Sequence, residues 1–235
     1  MRLCLGLCAI LGAACIAFLF IAGFALGIDA FLHHWAKTPS LFAALQSPRS
    51  ANSGLYFGLA LSFLIYASLA AAVIGIARLQ GGTDWPGVIA WRPWRMQRKV
   101  WLIVAATVAY GFSADFALSK FSPDSSGHLT MPDNFGAAVA FSVLAVIFAP
   151  VAEELVFRGW IFTRLRQNFS FLTVLLLTST VFAALHYEGT HFYALAIFPV
   201  GLTLGAIREM TGSIKPAIAF HAFNNLIACG LSLLE

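Results

Sequence analysis

The residues best suited to chemistry in this chain are two adjacent carboxylates that directly follow an apolar run. Glu153 and Glu154 come after the run Phe135–Ala152, and Arg158 stands four residues beyond Glu154. On an α-helix, residues four apart face each other, so Glu154 and Arg158 can form an ion pair while Glu153 points about 100° away. The spacing predicts that Glu154 and Arg158 have a structural, orienting role and that Glu153 is left free to face a cavity and carry the chemistry. The alternative is three ordinary charges at a helix end.

Two histidines and an asparagine lie in other apolar runs of the chain's second half. His186 closes the run Phe169–His186, and His221 and Asn225 stand four residues apart in the run Pro216–Leu234, on one helical face. Imidazole and amide groups in such runs are costly unless they find partners or line a wet cavity. A carboxylate base with imidazole and amide donors is what a water-activating hydrolase needs. The alternative is a set of helix–helix hydrogen bonds that serve packing alone.

The spacing of Glu153 and His186 predicts that they meet across a hairpin. The turn-like segment Asn168-Phe169-Ser170 lies halfway between them in the sequence. Two antiparallel helices folding back there would place both residues about 22–26 Å from the turn, at 1.5 Å per residue. Pro150 fits a first helical turn but disrupts a helix interior, so it is expected to break the preceding helix or to start a new one.

Composition predicts a membrane protein. Of the 235 residues, 60% are hydrophobic and 10% are charged, and the mean hydropathy is +0.85, whereas a soluble domain has about 25% charged residues. Seven apolar segments approach the roughly 17–25 residues of a spanning helix: Leu3–Ile28, Leu55–Ala77, Val100–Leu118, Phe135–Ala152, Phe169–His186, Phe192–Ile207 and Pro216–Leu234. We therefore predict an all-α fold, a polytopic integral membrane helical bundle with about seven transmembrane helices.

The basic residues predict the orientation of these segments. With the N-terminus in the cytoplasm, eleven of the fourteen Lys and Arg residues face the cytoplasm, and only Lys37, Arg49 and Lys120 face the other side. Such a bias is the positive-inside rule. The C-terminus is then outside, and the net charge of +4 reflects topology, so membrane lipids and no nucleic acid are the expected surroundings. Because long soluble loops are lacking, a bacterial inner or plasma membrane is the predicted location.

Three motifs in order resemble the CPBP family of intramembrane proteases, which includes the type II CAAX prenyl endopeptidases and the bacterial Abi proteins. The family pattern is EExxxR, then FxxxH, then a histidine followed four residues later by Asn or Asp. Here these motifs are Glu153-Glu154…Arg158, Phe182…His186 and His221…Asn225.

The resemblance divides the chain into two parts. It covers about Phe135 to Leu226, and the first 134 residues carry no recognisable signature. Residues 1–134 are predicted to hold the first three transmembrane helices with a basic cytoplasmic loop. Residues 135–235 are predicted to form the CPBP-like catalytic core, with the last four helices.

The resemblance implies a glutamic-type integral-membrane endopeptidase. In the family, the residues corresponding to Glu153 and His186 activate a water molecule, and those corresponding to His221 and Asn225 stabilise the oxyanion. The implied substrate is a peptide or protein with a hydrophobic or lipid-modified segment. Cleavage would fall in its membrane-proximal or C-terminal part.

Zinc is the competing mechanism. Glu153, His186 and His221 could ligate one zinc ion, with water in the fourth position. The sequence contains no HExxH motif, and the four cysteines show no CxxC spacing. We favour the metal-free mechanism without a cofactor and keep zinc as the alternative.

Two non-enzymatic functions are also considered. A non-catalytic membrane scaffold or bacteriocin-immunity protein could use the same fold to bind a partner, but the intact catalytic set argues against it. A small-solute transporter is less well supported, because no paired broken helices occur in matching halves of the chain.

Overall fold

The computed structural model of the protein describes residues 51–121, 131–186 and 191–233, together with scattered positions before residue 35. Regular structure in these parts is helical throughout, without strands, so the predicted all-α fold is confirmed there. Besides a 3₁₀ turn at Gly82–Asp84, the elements are α1 (Ala51–Gly81), α2 (Trp85–Val88), α3 (Arg98–Phe121), α4 (Phe135–Leu165), α5 (Phe171–Leu185), α6 (His191–Thr211) and α7 (Lys215–Ser232).

Six of the seven predicted apolar segments each coincide with one helix, whereas Leu3–Ile28 lies largely outside the described residues. Within the described parts, three helices are long and apolar enough to cross a membrane: Gly54–Val88, Phe135–Leu165 and Ala194–Thr211. Helix α5 has only 15 residues, and α7 contains two asparagines and a histidine among its apolar residues. The seven-span bundle therefore stays a prediction.

Helix α4 changes its hydrogen-bonding pattern around the two glutamates. Two π-helical stretches, Leu144–Phe148 and Leu155–Ile161, flank the α-helical stretch Ala149–Glu154. Pro150 stands in the first turn of that stretch, inside the continuous helix, and it has no N–H to donate to the π-helical turn before it. Pro150 was expected either to break the preceding helix or to start a new one. It starts an α-helical stretch, and the chain stays helical on both sides. π-Helical turns inside α-helices often occur at functional sites.

Helix α1 packs along α4, and the two helices run in the same direction. The Tyr56 hydroxyl donates to Oδ1 of Asn134 at 2.7 Å near the start of both helices. Near the other end, the Trp160 indole N–H donates to Oε1 of Gln80 at 3.3 Å. The predicted topology requires such a parallel pair. Successive spans cross the membrane in alternating directions, so two spans that are separated by one other span cross it in the same direction.

Helices α5 and α6 form a close antiparallel pair beside α4. The turn predicted between α4 and α5 is confirmed, and the Ser170 hydroxyl caps α5 by accepting from the Thr173 backbone N–H at 3.3 Å. Gly201 of α6 lies against Ser179 of α5, and a Cβ atom at Gly201 would lie only 3.2 Å from the Ser179 Cβ. The absence of a side chain at Gly201 thus allows the two backbones to approach.

A buried apolar cluster between α3, α4, α5, α6 and α7 holds these helices together. Burial of such side chains contributes roughly 25 cal/mol per Å². Its fully or nearly fully buried members are Val100, Phe157, Phe182, Val200, Leu204, Ile207, Ala217 and Phe220.

Candidate active site

Three of the predicted catalytic side chains converge from three different helices. Glu153 comes from α4, His186 from the C-terminal end of α5, and His221 from the second turn of α7. The Glu153 Oε2 atom lies 3.9 Å from Nε2 of His186 and 3.8 Å from Nε2 of His221. These separations exceed the 2.7–3.2 Å of a typical hydrogen bond. The sequence prediction that Glu153 and His186 meet across the hairpin is confirmed.

Both imidazole rings are held by their Nδ1 atoms. The Nδ1 atom of His186 lies 2.8 Å from the Phe182 carbonyl oxygen, and Nδ1 of His221 lies 3.0 Å from Oε1 of Glu154. A carbonyl and a carboxylate only accept hydrogen bonds, so each Nδ1 carries the proton and donates it. Each ring therefore presents its Nε2 atom to Glu153.

The predicted Glu154–Arg158 ion pair forms, and it is completely buried. The Arg158 Nη1 atom donates to Oε1 of Glu154 at 3.0 Å, and both side chains have zero exposure. Arg158 Nη2 donates to the Gly201 carbonyl at 2.9 Å, which links α4 to α6. Buried charges need such pairing because the desolvation of each one costs several kcal/mol. Glu154 and Arg158 thus form a rigid structural support beside the three converging side chains.

Phe182 forms the apolar floor of the site. Its ring centroid lies 4.5 Å from that of His186 and 5.7 Å from that of His221, and the Arg158 guanidinium stands 4.4 Å from it. A cation over an aromatic face is stabilised by the ring quadrupole. The Phe182 ring thus contacts His186 one helical turn away, which gives the FxxxH spacing a structural cause, and the Phe182 backbone carbonyl also accepts from His186 Nδ1.

The two oxygens of Glu153 have different surroundings. Oε1 accepts a hydrogen bond from the Tyr66 hydroxyl of α1 at 3.2 Å. Oε2 is buried and has no hydrogen-bond partner within the described part of the chain. An unsatisfied buried acceptor costs about 1–3 kcal/mol and requires an explanation, such as a role in binding. The expectation that Glu153 is left without a partner therefore holds for Oε2 only, and the cavity that it was expected to face stays a prediction.

Asn225 lies on the same face of α7 as His221, one turn further along. Its Nδ2 atom donates to the Ala145 carbonyl at 2.8 Å, inside the first π-helical stretch of α4. A carboxamide has two N–H bonds, so one remains for another acceptor. The structure thus shows Asn225 joining α7 to α4, and its predicted oxyanion role stays a prediction.

Three contributors to the site were not found by sequence analysis. They are the hydroxyl of Tyr66 and the carbonyl oxygens of Gly201 and Ala145. The two carbonyls are backbone atoms, which any residue type supplies. Tyr66 lies in a helix without a motif, so only the packing of α1 on α4 reveals it.

The geometry can be compared with the needs of a zinc ion. Ligand atoms at about 2.0–2.1 Å from a tetrahedral zinc lie about 3.3–3.4 Å apart. The two distances between Oε2 of Glu153 and the imidazole Nε2 atoms are 3.8 and 3.9 Å. In the described residues, no group of three or more His, Cys, Asp and Glu side chains is arranged to hold a metal ion. Glu153, His186 and His221 would have to close by about half an ångström to bind zinc.

Comparison with known protein families gives a match over the second half of the chain. Residues 135–227 match the family model described as type II CAAX prenyl endopeptidase Rce1-like. Over this segment the chain is similar to the Rce1-like family. The match confirms the resemblance to CPBP intramembrane proteases, and it indicates peptide-bond hydrolysis as the class of activity. No curated protein and no solved structure matches the chain.

The Rce1-like segment contains all the site residues predicted from sequence, from Glu153 to Asn225. Tyr66, which donates to Glu153, lies outside it. Together, the apolar helices and the family match indicate an integral membrane protease. The division of the chain at residue 134 stays a prediction, and α1 packs closely on the Rce1-like segment.

Proposed function

We propose that this chain is a glutamic-type integral-membrane endopeptidase in which Glu153 is the general base. The observation that carries the proposal is the convergence of His186 Nε2 and His221 Nε2 on Oε2 of Glu153, at 3.9 and 3.8 Å. That oxygen is buried and has no partner among the described residues. A water molecule between the carboxylate and an imidazole would satisfy it and would be held ready for proton abstraction.

Hydrolysis moves one proton from water to the leaving amine. Glu153 takes this proton as the water oxygen attacks the scissile carbonyl, and His186 Nε2 accepts a hydrogen bond from the same water. When the carbon–nitrogen bond breaks, Glu153 gives the proton to the amine nitrogen and becomes a carboxylate again. A positioned general base typically contributes about 10²- to 10⁴-fold to the rate.

We assign stabilisation of the oxyanion to His221 and Asn225. In its protonated form, His221 donates from Nδ1 to Glu154 and from Nε2 to the negative oxygen of the tetrahedral intermediate. Asn225 keeps one amide hydrogen beyond its bond to Ala145. Losing one such donor typically costs roughly 10²- to 10³-fold in rate.

The proposed substrate is a peptide or protein with a hydrophobic or lipid-modified segment, cut in its C-terminal or membrane-proximal part. This proposal is supported by the family, which is described by its action on the prenylated CAAX sequence. A non-catalytic scaffold or immunity function is not favoured, because nothing in such a function requires two imidazoles and an unpaired carboxylate oxygen to converge.

The proposed location is a bacterial inner or plasma membrane, with seven spans, the N-terminus in the cytoplasm and the C-terminus outside. The parallel pairing of α1 with α4 and the antiparallel pairing of α5 with α6 support this topology. The excess of Lys and Arg on one side supports the orientation.

The test is peptide cleavage by the purified protein in liposomes. Three probes are used: a farnesylated peptide ending in Cys-Val-Ile-Met, the same peptide without the farnesyl group, and a mixed peptide library read by mass spectrometry. Glu153→Gln is compared with wild type, because this change removes the base and keeps the size of the side chain. Glu209→Gln is the matched control, since the Glu209 carboxylate pairs with Arg166 at 2.9 Å, away from the site.

We expect Glu153→Gln to lower the rate about 10²- to 10⁴-fold, and we expect Glu209→Gln to stay close to wild type. Full activity of Glu153→Gln contradicts the assignment of the base. Failure of the wild-type protein to cleave any probe contradicts the endopeptidase function. Cleavage of the farnesylated peptide alone identifies prenylated substrates, and equal cleavage of both peptides shows that the lipid is not recognised.

A further inference from the structure

The Glu153 carboxylate is held by a side chain from outside the Rce1-like segment. The Tyr66 hydroxyl of α1 lies 3.2 Å from Oε1 of Glu153 and donates to it. The other oxygen, Oε2, is the one that lies 3.8–3.9 Å from the two imidazole Nε2 atoms. The carboxylate therefore has one oxygen bound to Tyr66 and one directed at the imidazoles.

The packing of α1 against α4 fixes the position of the Tyr66 ring. Tyr66 packs against the buried cluster formed by Leu59, Ala137 and Leu144, and it is itself half-buried. Close by, the rings of Phe63 and Phe148 meet edge to face, with centroids 4.7 Å apart. Such aromatic pairs contribute about 0.5–1.5 kcal/mol beyond the area they bury, so the phenol is presented from a well-packed interface.

We propose that Tyr66 is a positioning residue that selects which oxygen of Glu153 acts as the base. This inference rests on the proposed function, because it assumes that Glu153 abstracts a proton from water. Tyr66 does not touch the reacting atoms. It acts through Glu153, by holding Oε1 so that Oε2 faces His186 and His221.

The chemistry of a carboxylate explains why such a residue is needed. The terminal torsion of a glutamate is broad and nearly two-fold, so its oxygens are poorly fixed unless something binds them. A phenol O–H donates a charge-assisted hydrogen bond to a carboxylate, and in its neutral form it does not take a proton from water. Misplacement of a catalytic group by about 1 Å can cost on the order of 10²-fold in rate. Tyr66 therefore orients the base without competing with it.

The experiment compares Tyr66→Phe with Tyr56→Phe, using whichever of the peptides named above the wild type cleaves. Both residues lie on α1, and each hydroxyl donates to a residue in or just before α4, Tyr56 to Oδ1 of Asn134 at 2.7 Å. Each change removes one hydroxyl and one bond between the same two helices. We expect Tyr66→Phe to lower kcat about 10- to 100-fold, with KM within about two-fold of wild type, and Tyr56→Phe to leave both constants near wild type.

A double-mutant test separates positioning of the base from a general structural effect. In a Glu153→Gln background, Tyr66→Phe should cause no further loss of the residual rate, because the group it positions is gone. Unfolding midpoints in detergent should shift by similar amounts in Tyr66→Phe and Tyr56→Phe.

Three results overturn the inference: an unchanged kcat in Tyr66→Phe, an equal loss in Tyr56→Phe, or the same fold-loss in the Glu153→Gln background. If Glu153→Gln alone is fully active, or if the wild type cleaves none of the probes, the proposed function has failed and the inference fails with it. If Glu153→Gln is inactive and Tyr66→Phe is fully active, only the inference has failed.

Discussion

His221 is hydrogen-bonded to Glu154 and faces Glu153, so the two adjacent glutamates approach opposite edges of one imidazole ring. Its Nδ1 atom lies 3.0 Å from Oε1 of Glu154, and its Nε2 atom lies 3.8 Å from Oε2 of Glu153. The same Glu154 oxygen accepts from Arg158 at 3.0 Å. Sequence spacing paired Glu154 with Arg158 alone, whereas the structure shows that Glu154 also fixes the orientation of His221.

Glu154→Gln should therefore damage both stability and catalysis. The substitution keeps the size of the side chain but removes the carboxylate that pairs directly with the fully buried Arg158. Breaking a buried pair in this way costs about 3–5 kcal/mol. We expect a fall of this size in the free energy of unfolding, measured by SDS titration in mixed micelles, together with a lower kcat. Wild-type stability in Glu154→Gln would show that the pair is not needed.

Arg158→Lys should also destabilise the protein, although the charge is kept. The arginine donates separately from Nη1 to Glu154 and from Nη2 to the Gly201 carbonyl, and its guanidinium carbon lies 4.4 Å from the centroid of the Phe182 ring. A lysine side chain is shorter and carries its charge on a single nitrogen atom. It cannot donate to Glu154 and to the Gly201 carbonyl from two separate nitrogens as the arginine does. We expect the loss of one charge-assisted hydrogen bond, roughly 1.5–3 kcal/mol, in the same SDS titration.

The matched control for this change is Arg166→Lys. Arg166 also pairs with a glutamate, since its Nη2 atom lies 2.9 Å from Oε1 of Glu209, but both side chains are about one-third exposed. The hydrogen bond to Glu209 raises the pKa of the Arg166 guanidinium above its ordinary value. Solvent screens this pair, so the substitution should change stability much less. Equal losses in the two variants would contradict a special role for Arg158.

Asn225→Ala should separate the oxyanion role from the structural role of this amide. Loss of the bond to the Ala145 carbonyl leaves an unpaired acceptor and should cost about 1–3 kcal/mol of stability. Loss of an oxyanion donor should lower kcat about 10²- to 10³-fold. Asn224→Ala is the control, because the neighbouring residue points to another side of α7. If Asn225→Ala loses stability but keeps its kcat, Asn225 serves packing alone.

The sequence predicted much of the fold and the site because the decisive spacings are local. Glu154 and Arg158 are four residues apart on one helix, and Glu153 and His186 lie at equal distances from a turn. Both relationships follow from the rise of an α-helix and are present in the structure. The apolar runs likewise predicted six of the described helices.

The remaining contacts depend on tertiary packing, which periodicity does not encode. The carbonyl of Gly201 reaches Arg158 only because α6 packs beside α4, and Tyr66 reaches Glu153 only because α1 packs along α4. The π-helical turns on either side of Ala149–Glu154 have no sequence pattern of their own, and they alter which carbonyl oxygens are available. Asn225 uses one of these, that of Ala145.

The last prediction concerns zinc. We expect the purified protein to contain well under one equivalent of zinc by elemental analysis, and we expect peptide cleavage to survive a strong chelator. The physical reasons lie in the donor atoms. The Glu154 oxygen that faces His221 already accepts from two donors, and a carboxamide such as Asn225 is a poor zinc ligand but a good hydrogen-bond donor to an oxyanion. A metal would also require Glu153, His186 and His221 to converge within about 2.0–2.2 Å of one point.

The measurement pairs phenanthroline with its non-chelating isomer, which controls for direct effects of the aromatic compound on the membrane or the protein. Zinc content is determined for wild type and for His186→Ala, because loss of a ligand would lower it. Stoichiometric zinc whose removal abolishes cleavage and whose return restores it would overturn the metal-free mechanism. In that outcome Glu153, His186 and His221 become the zinc ligands, and the base must be sought in another group near the bound water.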